Sequence, residues 1–168
     1  MSQRYRRYPL KSKNAKALLG EISAKLKVDM DAIFGSKANV EVVEAEFGKV
    51  YLVNGKALFF NVGEKTLPTL LFHEFNAQAP KVVVDMGAVP YICKGADVMA
   101  PGIIRFEGKF DKGDVVLVTD EKYGKSLALG ESLMDAETAK TAKQGAVVKN
   151  FHFVSDKIWN LAKILAEQ

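Results

Sequence analysis

Cysteine and histidine are scarce: Cys93, His73 and His152 are the whole supply in 168 residues. One thiol closes no intrachain disulfide, and three such side chains cannot form a zinc site of the usual Cys/His spacing. No apolar run approaches the roughly 18 residues of a membrane span. The opening MSQRYRRYPLKSK lacks the apolar stretch of a secretion signal, and no Asn-x-Ser/Thr acceptor occurs. The expectation is a cytoplasmic protein with no membrane partner.

Catalytic motifs are equally sparse. There is no Gly-x-Gly-x-x-Gly, so a dinucleotide or methyl-donor fold has no support. Gly124-Lys125-Ser126 resembles the end of a phosphate-binding loop, but Thr119 stands where the first glycine is required. Cys93 lies in the apolar run Val89-Pro90-Tyr91-Ile92-Cys93 and reads as a packed core thiol. His152, between Phe151 and Phe153, reads as a strand residue whose ring is hydrogen-bonded or exposed. The carboxylates are scattered among lysines and form no acid–base pair. These absences point to a protein that is not an enzyme and uses no metal or cofactor.

An apolar share of 48% and a charged share of 26% are those of an ordinary globular chain, long enough for one sizeable core or two small ones. The net charge of +4 is unevenly placed: residues 1–80 hold 12 Lys and Arg against 8 Asp and Glu, and residues 81–168 hold 12 of each. Arg4, Arg6, Arg7, Lys11, Lys13 and Lys16 all precede the first acidic residue, Glu21. Such a run favours a phosphate-rich partner through counterion release; the alternative is a solvated tail that aids solubility.

Helical spacing of Ala15, Leu18, Leu19, Ile22 and Leu26 predicts an amphipathic helix from residue 12 to about 28, with Ser12 or Asn14 as N-cap. Strand-like runs follow over 40–47, 50–53 and 57–62, the last two joined by Asn54-Gly55-Lys56, a strong hairpin signal. Residues 69–75 read as a short helix or loop, and 76–80 as a linker dividing domains 1–79 and 80–168. Beyond it, strands are expected over 82–85, 115–119, 126–134 and 147–154. A short helix or turn is expected over 89–94, an extended stretch over 97–106 broken by Pro101-Gly102, a helix capped by Asp135, and a closing helix over 155–167. Short strands separated by glycine turns indicate a small barrel or sandwich, so the fold class is α+β.

Val84-Asp-Met-Gly-Ala-Val-Pro-Tyr-Ile-Cys-Lys-Gly-Ala-Asp-Val-Met-Ala-Pro-Gly-Ile103 resembles the signature of the PUA domain. Its elements are Asp85-x-Gly87-Ala88, a short helix, and Gly95 to Ile103. Later landmarks follow in order: Gly113-Asp114, Leu127 to Gly130, Gly145 to Val148, and His152-Phe153-x-x-Asp156-x-x-Trp159. Upstream, Val50 to Phe60 with Leu67-Pro68-Thr69-Leu70 is similar to the pre-PUA domain of the malignant T-cell-amplified-sequence protein and of the amino-terminal part of ligatin. The chain has the compact form expected of an archaeal relative. The resemblance implies a pre-PUA domain, helix plus antiparallel meander, followed by a PUA pseudo-barrel of mixed strands with short helices.

That resemblance implies RNA binding by Lys94, Gly95, Ala96, Asp97, Val98, Met99, Ala100, Pro101 and Gly102, with Arg105, Val147 and Lys149 beside them. Glycine at 95 and 102 would let backbone approach sugar, phosphate or a base edge, and permits positive φ. Lys94 and Arg105 would neutralise phosphates, Val98 and Met99 would offer apolar surface to an unstacked base, and Asp97 would cap loop amides. Alternatively the glycines only serve tight barrel turns. Arg4, Arg6, Arg7, Lys11 and Lys13 would supply long-range attraction.

The implied partners are the tRNA acceptor end or structured rRNA, the small ribosomal subunit, and a translation-factor partner of the density-regulated type. Two other roles remain open on sequence alone: an RNA-targeting subunit for a modification enzyme, and a protein-interaction module without RNA.

Overall fold

The computed structural model describes residues 4–167. Two compact units emerge, one of Met1–Phe75 with Lys157–Gln168 and the other of Asn76–Asp156.

The first unit is built on a five-stranded antiparallel meander in the order β1 (Tyr5–Pro9), β2 (Val40–Ala45), β3 (Gly48–Val53), β4 (Lys56–Val62) and β5 (Lys65–Pro68). Asn54 and Gly55 both take positive φ, 51° and 84°, and turn the β3–β4 hairpin as their sequence predicts. Helix α1 (Ser12–Leu26) buries Ala15, Leu19, Ile22 and Leu26. Its N-cap position falls on Lys11, which makes no side-chain cap bond, so neither Ser12 nor Asn14 caps it. A short α2 (Met30–Phe34) follows, capped by Asp29, whose carboxylate accepts from Ala32 N at 3.2 Å.

Strand β1 was unforeseen. The basic segment pairs along β2 with Tyr5 opposite Ala45 and Tyr8 opposite Val42. Arg6 binds Glu44 at 2.7 Å, Arg7 binds Glu41 at 2.7 Å, and Tyr8 Oη donates to Glu44 at 2.6 Å. The tyrosine hydroxyl and the Arg6 guanidinium together hold the Glu44 carboxyl below its ordinary range.

In the second unit the strand order is β7 (Val98–Met99), β11 (Ala146–Phe153), β10 (Ser126–Ser132), β9 (Val115–Asp120), β6 (Lys81–Val84) and β8 (Ile103–Glu107). All neighbours are antiparallel except β6 with β9. The two outermost strands, β7 and β8, are consecutive in the chain, separated only by a 3-10 turn over Ala100–Gly102. Six flat strands span about 24 Å, whereas the connection from Met99 to Ile103 reaches about 14 Å at most. The sheet must therefore curl on itself, and Val82, Val84, Ile92, Val98, Val116, Val118, Ala128, Val147 and Val148 fill its interior. A register shift between Leu129 and Gly130 accompanies a close backbone approach that only glycine fits. A Cβ at 130 would lie 2.1 Å from the Lys149 carbonyl oxygen.

Asp135 caps α5 (Ala136–Thr141) as expected, accepting from Thr138 N at 2.7 Å. Two expectations change. The 76–80 linker is partly helical, because α3 (His73–Gln78) runs into it and buries Asn76. The closing helix α6 (Lys157–Ala166), expected in the 80–168 domain, packs on β4 of the first unit with Leu161, Ala162 and Leu165 buried. Its apolar stripe was legible, but its partner sheet lies about a hundred residues earlier in the chain. Among the described residues no helix is long and apolar enough to cross a membrane.

Candidate nucleic-acid interface

Helix α4 (Val89–Ile92) begins where Asp85 folds back on it: the carboxylate accepts from Ala88 N at 2.9 Å, and Pro90 occupies the first turn. Ile92 is buried as the anchor, so Tyr91 points outward with 69% of its surface exposed. The main chain then tightens. Lys94 N and Ala96 N both donate to Tyr91 O at 3.1 Å, with Gly95 at φ 100° between them.

Asn150 pins this loop to β11. Its side-chain Nδ2 donates to Ile92 O at 3.1 Å and Ala96 O at 2.9 Å, and its own N–H donates to the Asp97 carboxylate at 3.0 Å. Val98 and Met99 then pair with Val148 and Ala146, Ala100 N donates to Gly145 O, and Gly102 O accepts from Asp85 N at 2.9 Å. The loop returns to the residue that opened it, giving a closed, hydrogen-bonded rim.

Several expected site residues stand on this rim. Lys94, Ala96, Met99 and Pro101 are exposed, Met99 by 49%, and Lys149 is exposed on the adjoining strand. Asp97 does bind an amide, although across to β11 and not within its own loop.

Others take different roles. Val98 and Val147 are buried in the core, because their strand positions face the barrel interior; neither can offer its side chain to a base. Gly95 and Gly102 each lie close to a side chain of the same unit. A Cβ at 95 would lie 3.2 Å from the Phe153 ring, and one at 102 would lie 3.2 Å from Ala88 Cβ. Only Gly95 of the two has positive φ. Arg105 is exposed on β8 but is bound to Glu107 at 3.2 Å, which offsets its charge. The proposed basic patch lies in the first unit, where Arg6 and Arg7 are paired to glutamates and Arg4, Lys11 and Lys13 are exposed.

Cys93 packs against the barrel core, and desolvation raises its thiol above the ordinary range, the opposite of an activated nucleophile. His152 is fully buried, its Nδ1 2.8 Å from Asp156 Oδ2, which also accepts from Phe153 N. The pair fastens the end of β11. Among the described residues no cluster of three or more His, Cys, Asp or Glu could hold a metal.

Sequence reasoning passed over three members of this region. Tyr91 and Met86 stand in the sequence only as parts of the motif, although 37% of Met86 is exposed. Asn150 gave no signal at all, since its partners lie more than fifty residues away.

Residues 80–154 match the PUA domain, and residues 6–73 match a domain of unknown function, DUF1947. An uncharacterized protein of Methanocaldococcus jannaschii is 36% identical over 92% of this chain and 96% of its own length. Translation machinery-associated protein 20 of Saccharomyces cerevisiae is 30% identical, covering 88% and 86%. Malignant T-cell-amplified sequence 2 of Homo sapiens is also 30% identical, covering 79% and 76%. Among solved structures, a hypothetical protein from Pyrococcus horikoshii superposes with a TM-score of 0.78 at 33% identity, over 94% of this chain and 99% of that one. With its meander unit, its curled PUA barrel and these relatives along most of its length, the chain belongs to the family of translation machinery-associated protein 20 and the malignant T-cell-amplified-sequence proteins.

Proposed function

We propose that this protein is a cytoplasmic RNA-binding factor of the translation machinery that acts with the small ribosomal subunit and seats a structured RNA end, such as the tRNA acceptor end, on the α4–β7 rim. The observation that carries this reading is the rim itself. A hydrogen-bonded loop and the strand beside it hold an aromatic ring, an apolar side chain and cations, Tyr91, Met99, Lys94 and Lys149, toward solvent. Unpaired bases stack on aromatic faces, and cations flank their phosphates. The family relationship to translation machinery-associated protein 20 supports the same reading.

Residues 76–156 hold 10 Lys and Arg against 11 Asp and Glu, so this unit attracts phosphate locally and not through its net charge. Arg4, Lys11 and Lys13 of the first unit add to the attraction.

A gel-shift against tRNA with and without its terminal CCA, paired with co-sedimentation on small subunits, tests the proposal. Binding should weaken on trimming. Lys94→Ala should lower the slope of log affinity against log salt by about one. Indifference to both trimming and subunits would overturn it.

A further inference from the structure

Beyond the rim, the β9–β10 hairpin ends in Lys122-Tyr123-Gly124-Lys125, a segment whose sequence reads only as a turn. Its tip is built to a definite shape. The Asp120 carboxylate accepts from the main-chain N–H groups of Lys122, Tyr123 and Lys125, the first at 2.9 Å and the last at 3.1 Å. Gly124 takes φ 64°, and its N–H donates to Asp120 O at 3.2 Å. Asp120 is itself buried, so its charge is directed at these amides.

This scaffold holds Tyr123 outward with 62% of its surface exposed. Lys122 Nζ lies 5.1 Å and Lys125 Nζ 5.8 Å from the ring centroid, and both lysines are exposed. An exposed aromatic ring with two cations close to it matches one nucleotide in its two parts, a base for the ring and phosphates for the ammonium groups. Entry of a base displaces an ammonium from the ring. Its flexible stem can swing the charge to a phosphate, and a base stack outweighs an exposed cation–π contact. Asp120 and the exposed Glu121 equal the two lysines in formal charge, but the Asp120 charge is buried and bound to main-chain N–H groups, so at the surface two exposed ammonium groups face one carboxylate.

The tip also adjoins the rim. Glu121 N donates to Val84 O at 2.9 Å, and the next residue of that strand end, Asp85, donates to Gly102 O at 2.9 Å. One end of β6 thus carries both features.

We infer that the Tyr123 tip is a second RNA contact, which stacks one unpaired nucleotide next to a stem or end held on the α4–β7 rim. The inference rests on the RNA-binding reading above. Its test uses the full chain and two RNA probes: a short blunt stem, and the same stem with a 3′ single-stranded overhang containing 2-aminopurine. Wild type should quench the 2-aminopurine. Tyr123→Ala should abolish the quenching and weaken overhang binding about 5- to 150-fold, the range for losing one base stack, with blunt-stem affinity unchanged. Tyr123→Phe should keep both properties. If Tyr123→Ala binds and quenches like wild type, the tip inference falls while the RNA reading stands. If wild type binds neither probe at low salt, the RNA reading falls and takes the tip with it.

Discussion

Asn150 is the strongest single test of how the rim is held. Replacing it with alanine removes the Nδ2 donations to Ile92 O and Ala96 O. The Ala96 carbonyl can turn to water, whereas the bond to Ile92 O is partly buried and its loss is compensated less. At about 0.5–1.5 kcal/mol net for each bond, Asn150→Ala should cost about 2 kcal/mol. For a domain of this size that lowers Tm by about 8–16 °C. Asn150→Asp is the sharper probe because it keeps the shape and reverses the chemistry. An ionised carboxylate can only accept, and it would face two carbonyl oxygens with the Asp97 carboxylate bonded to its own N–H. Its folded pKa is therefore raised above the unfolded value of about 3.9. The extra loss is fully present above the folded pKa and shrinks as pH falls through it, because the protonated acid can donate to one carbonyl. Thermal melts of wild type and both variants from pH 4 to 8, with hydrogen exchange at Gly95 and Ala96, measure this. Equal melting of Asn150→Asp and wild type at neutral pH would refute the assignment of these bonds as the fastening of the loop.

Gly130→Ala should cost about 3 kcal/mol or more, because its methyl group meets a backbone carbonyl that cannot swing aside, whereas Gly20→Ala, in a helix with open space around it, should gain about 0.8–1 kcal/mol; denaturant unfolding separates the two signs. Leu161→Ala should cost about 2–5 kcal/mol and speed hydrogen exchange in β4 while leaving β11 protected, since α6 packs on the first unit; the reverse pattern would return the helix to the barrel. Main-chain bonds from Tyr123, Lys125 and Lys122 depress the Asp120 carboxyl below its ordinary range. The stability it contributes is thus present above the unfolded pKa of about 3.9 and lost as pH falls through the folded value, and Asp120→Asn should flatten that part of the acid-unfolding curve.

Local signals carried much of this fold. The apolar stripes of α1 and α6, the Asn54-Gly55 turn, the Asp135 cap and the break at Pro101-Gly102 all follow from residues within a few positions of one another. What escaped depends on distant partners. Segment 5–9 reads as a charged tail until Glu41 and Glu44 arrive to pair its arginines and Tyr8. The last turn of α3 runs into a stretch whose alanines, glutamine and proline suggest a linker, because Phe75 and Asn76 at its start find burial. The rim was located from its motif, but which of its side chains face outward was not legible. Val98 and Met99 are equally apolar neighbours, and only the strand's alternation sends one inward and the other to solvent.

The glycines of the motif also answer to packing within the barrel. A Cβ at Gly95 would press on the Phe153 ring and one at Gly102 on the Ala88 methyl, each asking its neighbour to give by a few tenths of an ångström, whereas at Gly130 the Lys149 carbonyl admits no Cβ at all. A glycine substitution that weakened RNA binding would act first by displacing the rim, and would lower Tm in parallel. A contact residue should behave in the opposite way. Met99 is 49% and Tyr91 69% exposed, so their truncation should leave Tm near wild type and reduce affinity alone. Measured side by side, stability and affinity separate the residues that shape the surface from those that meet the ligand.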